Sequence, residues 1–569
     1  MYDMRRMILG LCYIFFAVLP IMAQENEDVR NIAKLMDVEA EELGEDDVER
    51  LTALLKRPVL LNIASESELY SCGVFTRYQV ASLMDYRARS GSCLSFMELA
   101  ALNGFGEDFV SRIRPFVSLE SLHDPSGRAR HEFTERLSYR YTPGTPRYGY
   151  TSRYKFNMGE MMKTSLSCNR SLDAEKVTPD ALCASFAMRL RKLPLSFVAG
   201  DFNARFGQGL NLWTGSNFTS FNTPSSFMKR SFGVTPSTSF TGSNVLTGAA
   251  AEYIWDRCTF TAFVAMPGIK SARKSPEKVK LMPAANFTYG WKDGQVGLTH
   301  YLEFAGLSSE LYIPAMKTSC DFAICHKGVD IFSELMFDWT KQKISAVAGL
   351  VSPIGDGSNM AVMLRTMESE YNLNASGSLK RKRLDGSVST DLALYTVPKV
   401  ETQDRSLQFK FHTQWLYRIT DSWQMNVRLT ERIRSWGQMF RTDLRSDLAW
   451  NSNVFSLMCR FNVLHCKNLA WLTYLEGGAR YRKLAAYLRQ GFFVIDNWDD
   501  RIYAYERDVP GAYNSPAFYG RGIWTSFLGS LKPTGWCKIC LRTGLTLYPF
   551  MQEKKPGKAE LRFQCVFDF

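Results

Sequence analysis

Over the C-terminal four-fifths of this chain, apolar and polar side chains take turns. Leu407, Phe409, Phe411, Trp415, Tyr417 and Ile419 share one parity, while Gln408, Lys410, His412, Gln414 and Arg418 share the other. Strict period two over that length predicts a β-strand with one apolar and one polar face. Trp423, Met425, Val427, Leu429 and Ile433 repeat the pattern against Gln424, Asn426, Arg428, Arg432 and Arg434. The last segment is the cleanest: Leu561, Phe563, Cys565, Phe567 and Phe569 face one way, and Glu560, Arg562, Gln564 and Asp568 the other.

A soluble sandwich would alternate too, so strand length and strand ends decide. These runs reach about ten residues or more, aromatic residues flank the apolar parity, and turns are read at Lys292-Asp293-Gly294, Ser376-Gly377 and Asp385-Gly386. A lipid-facing exterior around a polar lumen fits best. The expected fold is mainly β, a large antiparallel transmembrane barrel over residues 121–569, preceded by a small all-α domain. At roughly 20 residues per strand plus turn it would hold about 22 strands, an even number. Two stretches break the alternation, 219–244 and 497–522, and are candidates for long loops or a plug.

The chain begins with Arg5 and Arg6, an apolar run from Met7 to Met22, and then acids at Glu25, Glu27 and Asp28. That order predicts a signal peptide over residues 1–23. Leu11 before Cys12 argues against a lipoprotein, since lipid attachment needs a small residue there. Beyond Ala23 no stretch of about 18 apolar residues remains to make a spanning helix, so membrane insertion would require a closed barrel.

Charge divides the 569-residue chain in two. Gln24 to Glu120 holds 10 Lys and Arg against 18 Asp and Glu, whereas Ser121 to Phe569 holds 57 against 38. The acidic part reads as helical. Ile32, Leu35, Met36, Val48, Leu51, Leu54 and Leu55 recur at helical spacing through an acidic lead-in (24–57) that Pro58 ends. Ser65 with Glu68 and Ser95 with Glu98 form capping boxes, a helix carries Tyr78 to Arg89, and Gly104-Phe105-Gly106 precedes a last helix through Val117.

The run from Leu61-Asn62-Ile63-Ala64-Ser65 to Phe116-Val117, with Tyr86-Arg87, Leu94-Ser95-Phe96 and the Gly-Phe-Gly hairpin, resembles the tandem helix-hairpin-helix domain of ComEA-type competence DNA-binding proteins. The resemblance covers residues 58–120. It implies that hairpin amides receive a nucleic-acid phosphate, with Gly73, Val74, Phe75, Thr76 and Arg77 at one hairpin and Gly104, Phe105 and Gly106 at the other. Glu107 and Asp108 oppose this by repelling phosphate, and five arginines against seven acids between Pro58 and Glu120 make a poor nucleic-acid face. A docking or structural role for the domain ranks above DNA binding. The C-terminal aromatics Phe567 and Phe569 resemble the signal read by the barrel-assembly machinery. Arg205-Phe206-Gly207-Gln208-Gly209-Leu210, with the two long stretches, resembles a diderm-bacterial family in which a ComEA-like domain precedes a large barrel, and which brings no established activity.

Candidate chemistry is sparse. There is no Gly-x-Ser-x-Gly elbow, HExxH helix or phosphate-binding loop, and the six histidines are dispersed, so neither enzyme activity, metal nor cofactor is expected. Cys537 and Cys540 form the single CxxC, on opposite faces of a strand; Cys72 and Cys93 either pair or remain buried thiols. Parity puts Arg205, Lys410, Arg418, Arg428, Arg432 and Arg434 in the lumen. They attract anions, or pair with Glu132, Asp201, Asp443 and Asp447, or bind lipopolysaccharide phosphates outside. The leading expectation is a non-enzymatic outer-membrane protein that moves, tethers or assembles an envelope component. Its helical domain would lie in the periplasm and dock a protein there. DNA handling and a passive anion-selective pore are the alternatives.

Overall fold

In the computed structural model the described residues are 25–36, 43, 45–120 and 129–569, apart from 143–144, 160, 173–178, 191–192, 215–222, 240–244, 268–278, 308–309, 356–357, 368–369, 382–385, 399–404, 436–438, 453, 482 and 552–554. The expected signal peptide and the expected turn at Asp385 fall outside them, as do 219–222 and 240–244 of the first long stretch.

The N-terminal part is helical: α1 (Glu25–Met36), α2 (Glu45–Lys56), α3 (Glu66–Ser71), α4 (Arg77–Ser90), α5 (Phe96–Ala101) and α6 (Gly106–Ile113). Ser65 and Ser95 cap α3 and α5 by accepting from the amides of Glu68 and Glu98. A full reciprocal capping box sits at α4, where Thr76 and Gln79 exchange side-chain and backbone bonds. Ile32, Leu35 and Leu51 of the lead-in share one core with Leu61, Leu69, Phe75, Leu83 and Phe116. The lead-in is therefore part of the same domain, and each fully buried Leu or Phe contributes about 1.5–3 kcal/mol to it. A short parallel pairing, Val59 with Val117 and Leu60 with Ser118, ties the middle of the domain to its end.

From Arg130 onward the chain forms a closed antiparallel barrel of 24 strands. That is two more than the strand-plus-turn estimate of about 22, because many connections are only two residues long, such as Asp256–Arg257, Lys292–Asp293 and Lys327–Gly328. Ser376-Gly377 is not a turn; both residues lie inside the strand Glu370–Arg381.

The alternation is realised in the burial. On the strand Arg405–Arg418, Leu407, Phe409 and Trp415 are exposed on the outer surface, while Gln408, Lys410 and His412 are buried inside. Ile331, Leu335, Leu444 and Phe461 add to the same outer band. A contiguous apolar belt of this size has no stable interface with water, and a bilayer is the solvent that suits it. The last strand closes on the first, with Phe567 opposite Phe133 and Phe563 opposite Leu137. Phe569 and His131 exchange backbone bonds of 2.9 and 3.1 Å, and Phe567 and Phe569 stack with Trp536.

Both termini of the barrel, Arg130 and Asp568, lie at one end. Connections at that end are short. The long ones, 205–246, 267–279, 495–520 and 547–558, are all at the other.

Candidate functional site: an occupied lumen

The acidic helical domain is not a free appendage. It packs against the inner wall, and acids that the sequence presents as a solvated lead-in are among its most buried groups. Asp47 and Glu49 on α2 are 3% and 7% exposed. Asp47 accepts from Arg205 at 2.9 Å and from Arg50 at 3.2 Å. Glu49 accepts from Arg153 at 2.6 Å and also bonds Lys155. The Arg205 guanidinium lies 4.9 Å from the Phe232 ring and 5.4 Å from the Trp213 ring, which holds its fork in place.

Burial alone would raise both carboxyl pKa values, but the facing cations outweigh it. Arg205 and Arg50 hold Asp47, and Arg153 and Lys155 hold Glu49, below the ordinary carboxylate range. These cations belong to the wall, Arg50 excepted, so the carboxylates are charged because the domain is seated.

Further contacts fix the domain near the short-turn end. The Arg189 guanidinium donates to Ser65 Oγ at 2.9 Å, the Tyr78 hydroxyl to Asp330 at 2.8 Å, and the Asn103 amide to Asp293 at 3.0 Å and the Cys325 carbonyl at 3.1 Å.

The first hairpin faces the wall. Val74, Phe75, Thr76 and Arg77 are all buried, and three amides at the start of α4 are already bonded. The Thr76 amide donates to Gln79 Oε1, the Arg77 amide to Gln295 Oε1, and the Gln79 amide to Thr76 Oγ1. The Arg77 guanidinium is spent on Thr259 and lies over Tyr70. Gly73 sits at φ +67, and a Cβ there would fall 2.5 Å from Arg50 Nη1.

At the second hairpin Gly104 is set by packing against Tyr78, whose ring would lie 2.3 Å from an added Cβ. Phe105 is buried among Phe75 and Phe109, while Gly106 is exposed, with Glu107 and Asp108 in the first turn of α6. The two hairpins thus build a core and a contact surface.

Both long stretches fold inward as far as they are described. In the first, Gly233–Pro236 pairs with Phe202–Arg205. Glu334 of the wall accepts from the amides of Gln208, Leu210 and Asn211 at 2.8, 3.0 and 3.3 Å. Phe227 packs on Phe332, Val347 and Ala361, and Arg230 reaches the Phe109 ring of the helical domain.

In the second, Glu506, Arg507 and Asp508 enter a charge network. Arg507 and Arg489 share Glu476 at 2.7 and 2.9 Å, Arg542 joins Glu506 to Glu560, and Arg562 bonds Asp508. Tyr513 from the same segment packs against the helical core. The helical domain thus enters from one end and two folded-in loops from the other, and they meet inside.

The sequence-derived lumen cations divide into three groups. Arg205 serves the helical domain. Lys410 is buried beside Asp391 at 3.5 Å, and Arg434 bonds Gln408. Arg428 and Arg432 are half-buried on the wall, and Arg418 is exposed at the short-turn end. Of the expected carboxylate partners, Glu132 faces Arg153 and Lys155, and Asp447 binds Arg445 and Arg460. Asp201 accepts from the Ala184 amide and Thr247. Asp443 stands on the wall opposite Thr430, between Arg441 and Arg445. Cys72 and Cys93 are separate thiols, and burial pushes Cys72 up to about 11. Asp47, Glu49, Glu334 and Arg542 were not distinguishable by sequence: the wall or loop partners of the first three lie more than a hundred residues away, and those of Arg542 lie 18 and 36 residues away on other elements.

No characterised family matches the chain, and no curated relative does. Solved structures similar to it include the siderophore receptor PirA from Pseudomonas aeruginosa, at 8% identity and a TM-score of 0.40 over 78% of this chain and 80% of that one. The translocation pore of the P pilus usher PapC matches at 7% identity and 0.38 over 78% and 99%. OccK11 (OpdR) of Pseudomonas aeruginosa matches at 10% and 0.32 over 78% and 96%. These are loose likenesses among barrels; the class rests on this chain's own closed strand ladder and apolar belt.

Proposed function

We propose that this protein is an outer-membrane barrel, non-enzymatic, whose N-terminal helical domain is a plug. It would pass, tether or help assemble an envelope component when the plug shifts. The observation that carries this reading is the burial of Asp47 and Glu49 against Arg205, Arg153 and Lys155 of the wall. Short connections mark the periplasmic end of outer-membrane barrels, and the helical domain lies at that end of this one.

The seating ion pairs set a pH dependence. Both carboxyls have pKa values lowered by docking, so their contribution is complete above the ordinary carboxylate range and is lost as pH falls through the depressed values. In planar bilayers, conductance is expected to stay low at neutral pH and rise as pH drops below about 4. An Asp47→Asn/Glu49→Gln variant is expected to conduct at neutral pH. A variant that stays closed at every pH tested would remove the basis of the plug reading.

A periplasmic partner would meet the domain at Leu94 and Met97, not at its hairpin phenylalanines. Phe75 and Phe105 are buried, whereas Leu94 and Met97 are 81% and 84% exposed, close to the end of α4 opposite Arg77. A photocrosslinker at Met97 is expected to capture a periplasmic protein in intact cells, and one at Phe75 to capture none. Equal yields from the two positions, or none from Met97, would count against docking here.

A further inference from the structure

Elsewhere among the described residues, wall cations such as Arg153, Lys155, Arg205, Arg489 and Arg542 meet carboxylates of the plug, the loops or a neighbouring strand. One sector is different. On the strands Arg405–Arg418, Trp423–Arg434 and Met439–Asn451, Lys410 stands directly opposite Arg432, and Arg432 directly opposite Arg441. Beside this row, Arg428 stands opposite Arg445. Adjacent strands are about 4.8 Å apart, so the first row sets three cationic residues at backbone positions within about 10 Å of one another. Like charges directly across a strand pair destabilise it.

The neighbouring carboxylates are committed unevenly. Asp391 lies 3.5 Å from Lys410, and Asp447 is held between Arg445 and Arg460 at 2.8 and 2.6 Å. Asp443, opposite Thr430, stands between Arg441 and Arg445 as a single carboxylate beside Arg428, Arg432, Arg441 and Arg445, and so offsets only part of their charge. Arg441 donates to the neutral carbonyls of Asp499 and Arg501 at 2.8 and 3.1 Å. Arg432, between two cations, has a buried Nε with no hydrogen-bond partner among the described residues. The row lies toward the end that carries the long loops, away from the seat of the plug.

We infer that this sector is a binding site for a multiply charged phosphoanion. Guanidinium forks suit phosphoryl oxygens, and charges spaced about 5 Å apart suit a ligand with two or more phosphoryl groups in series. The site rests on the lumen reading above and names the chemistry of what the lumen receives.

The test uses the full chain in uncharged detergent and inorganic tripolyphosphate as probe, by calorimetric titration at low ionic strength, with citrate as the polycarboxylate arm. Tripolyphosphate is expected to bind more tightly than citrate, and Arg432→Gln to weaken it roughly tenfold, the loss of one charge-assisted bond. Arg140→Gln, far from the row and paired with Glu560, should leave binding unchanged. Arg432→Gln should also fold with undiminished heat stability, because it relieves repulsion. Absence of binding, equal preference for citrate, or a barrel destabilised by Arg432→Gln would overturn the proposal. These readouts do not need the plug to move, so they fail separately from the plug reading.

Discussion

A protein lacking residues 25–120 is expected to form a barrel that conducts roughly tenfold more than the full chain, with a preference for anions. A barrel of this strand number is wide enough to leave a channel or a plugged lumen, and here the difference is filled by the helical domain and the two inward loops. The loops would remain in the shortened protein, held by Glu334 and by the Glu476 network, so the pore would be narrowed and not empty. Anion preference follows from what is uncovered: Arg153, Lys155 and Arg205 lose Glu49 and Asp47 and face water. Single-channel recordings of the two proteins in the same bilayer make the comparison. Equal conductance would mean that the helical domain does not obstruct the lumen, and the plug reading would fall with it.

How much of this was legible depends on the range over which each signal acts. Alternation is local, and it placed Phe409 outside and Lys410 inside without any knowledge of neighbours. Barrel closure was legible too, because no stretch long enough for a spanning helix was left to carry the alternating strands into a membrane. The strand total slipped because it allotted roughly 20 residues to each strand plus turn, and two-residue turns such as Asp256–Arg257 and Lys327–Gly328 use fewer. The seat of the helical domain was not legible residue by residue. Asp47 and Glu49 look like any acids on an exposed helix, and the partners that bury them stand more than a hundred positions away. A global signal did exist. A module with an acidic excess, joined to one with a basic excess, has a partner of opposite charge in its own chain. Reading the acidity as a surface for another protein overlooked that intramolecular complement.

The hairpin glycines show the same limit from the other side. Gly73 and Gly104 fit a phosphate-approach motif, and in this chain the backbone conformation that motif requires is present at both, with φ of +67 and +80. What fills the space is Arg50 in one case and the Tyr78 ring in the other. A turn motif specifies a conformation; the ligand it admits is decided by what packs there.

Charge balance separates the structural part of the lumen from the part that can take a ligand, and Arg542 tests the structural side. It is 1% exposed, bonded to Glu506 and to Glu560 at 2.9 Å, and 3.8 Å from Asp508. With Arg489, Arg507 and Arg562 it faces the four carboxylates Glu476, Glu506, Asp508 and Glu560, the last of which also pairs with the exposed Arg140. Removing one member of a buried, balanced network leaves its partners charged without compensation, at a cost of about 3–5 kcal/mol. Arg542→Met is therefore expected to lower the temperature at which the barrel loses its heat-modifiable migration in detergent gels, and to open the 496–519 segment to protease. Adding Glu506→Gln should recover part of the loss, because it removes one of the stranded charges. Arg432→Gln, made in the row where cations outnumber carboxylates among the described residues, should do the opposite and leave the barrel at least as stable. If Arg542→Met melts like the parent, the inward fold of this segment is held by Phe518 and Tyr513 packing alone, and the network is incidental to it.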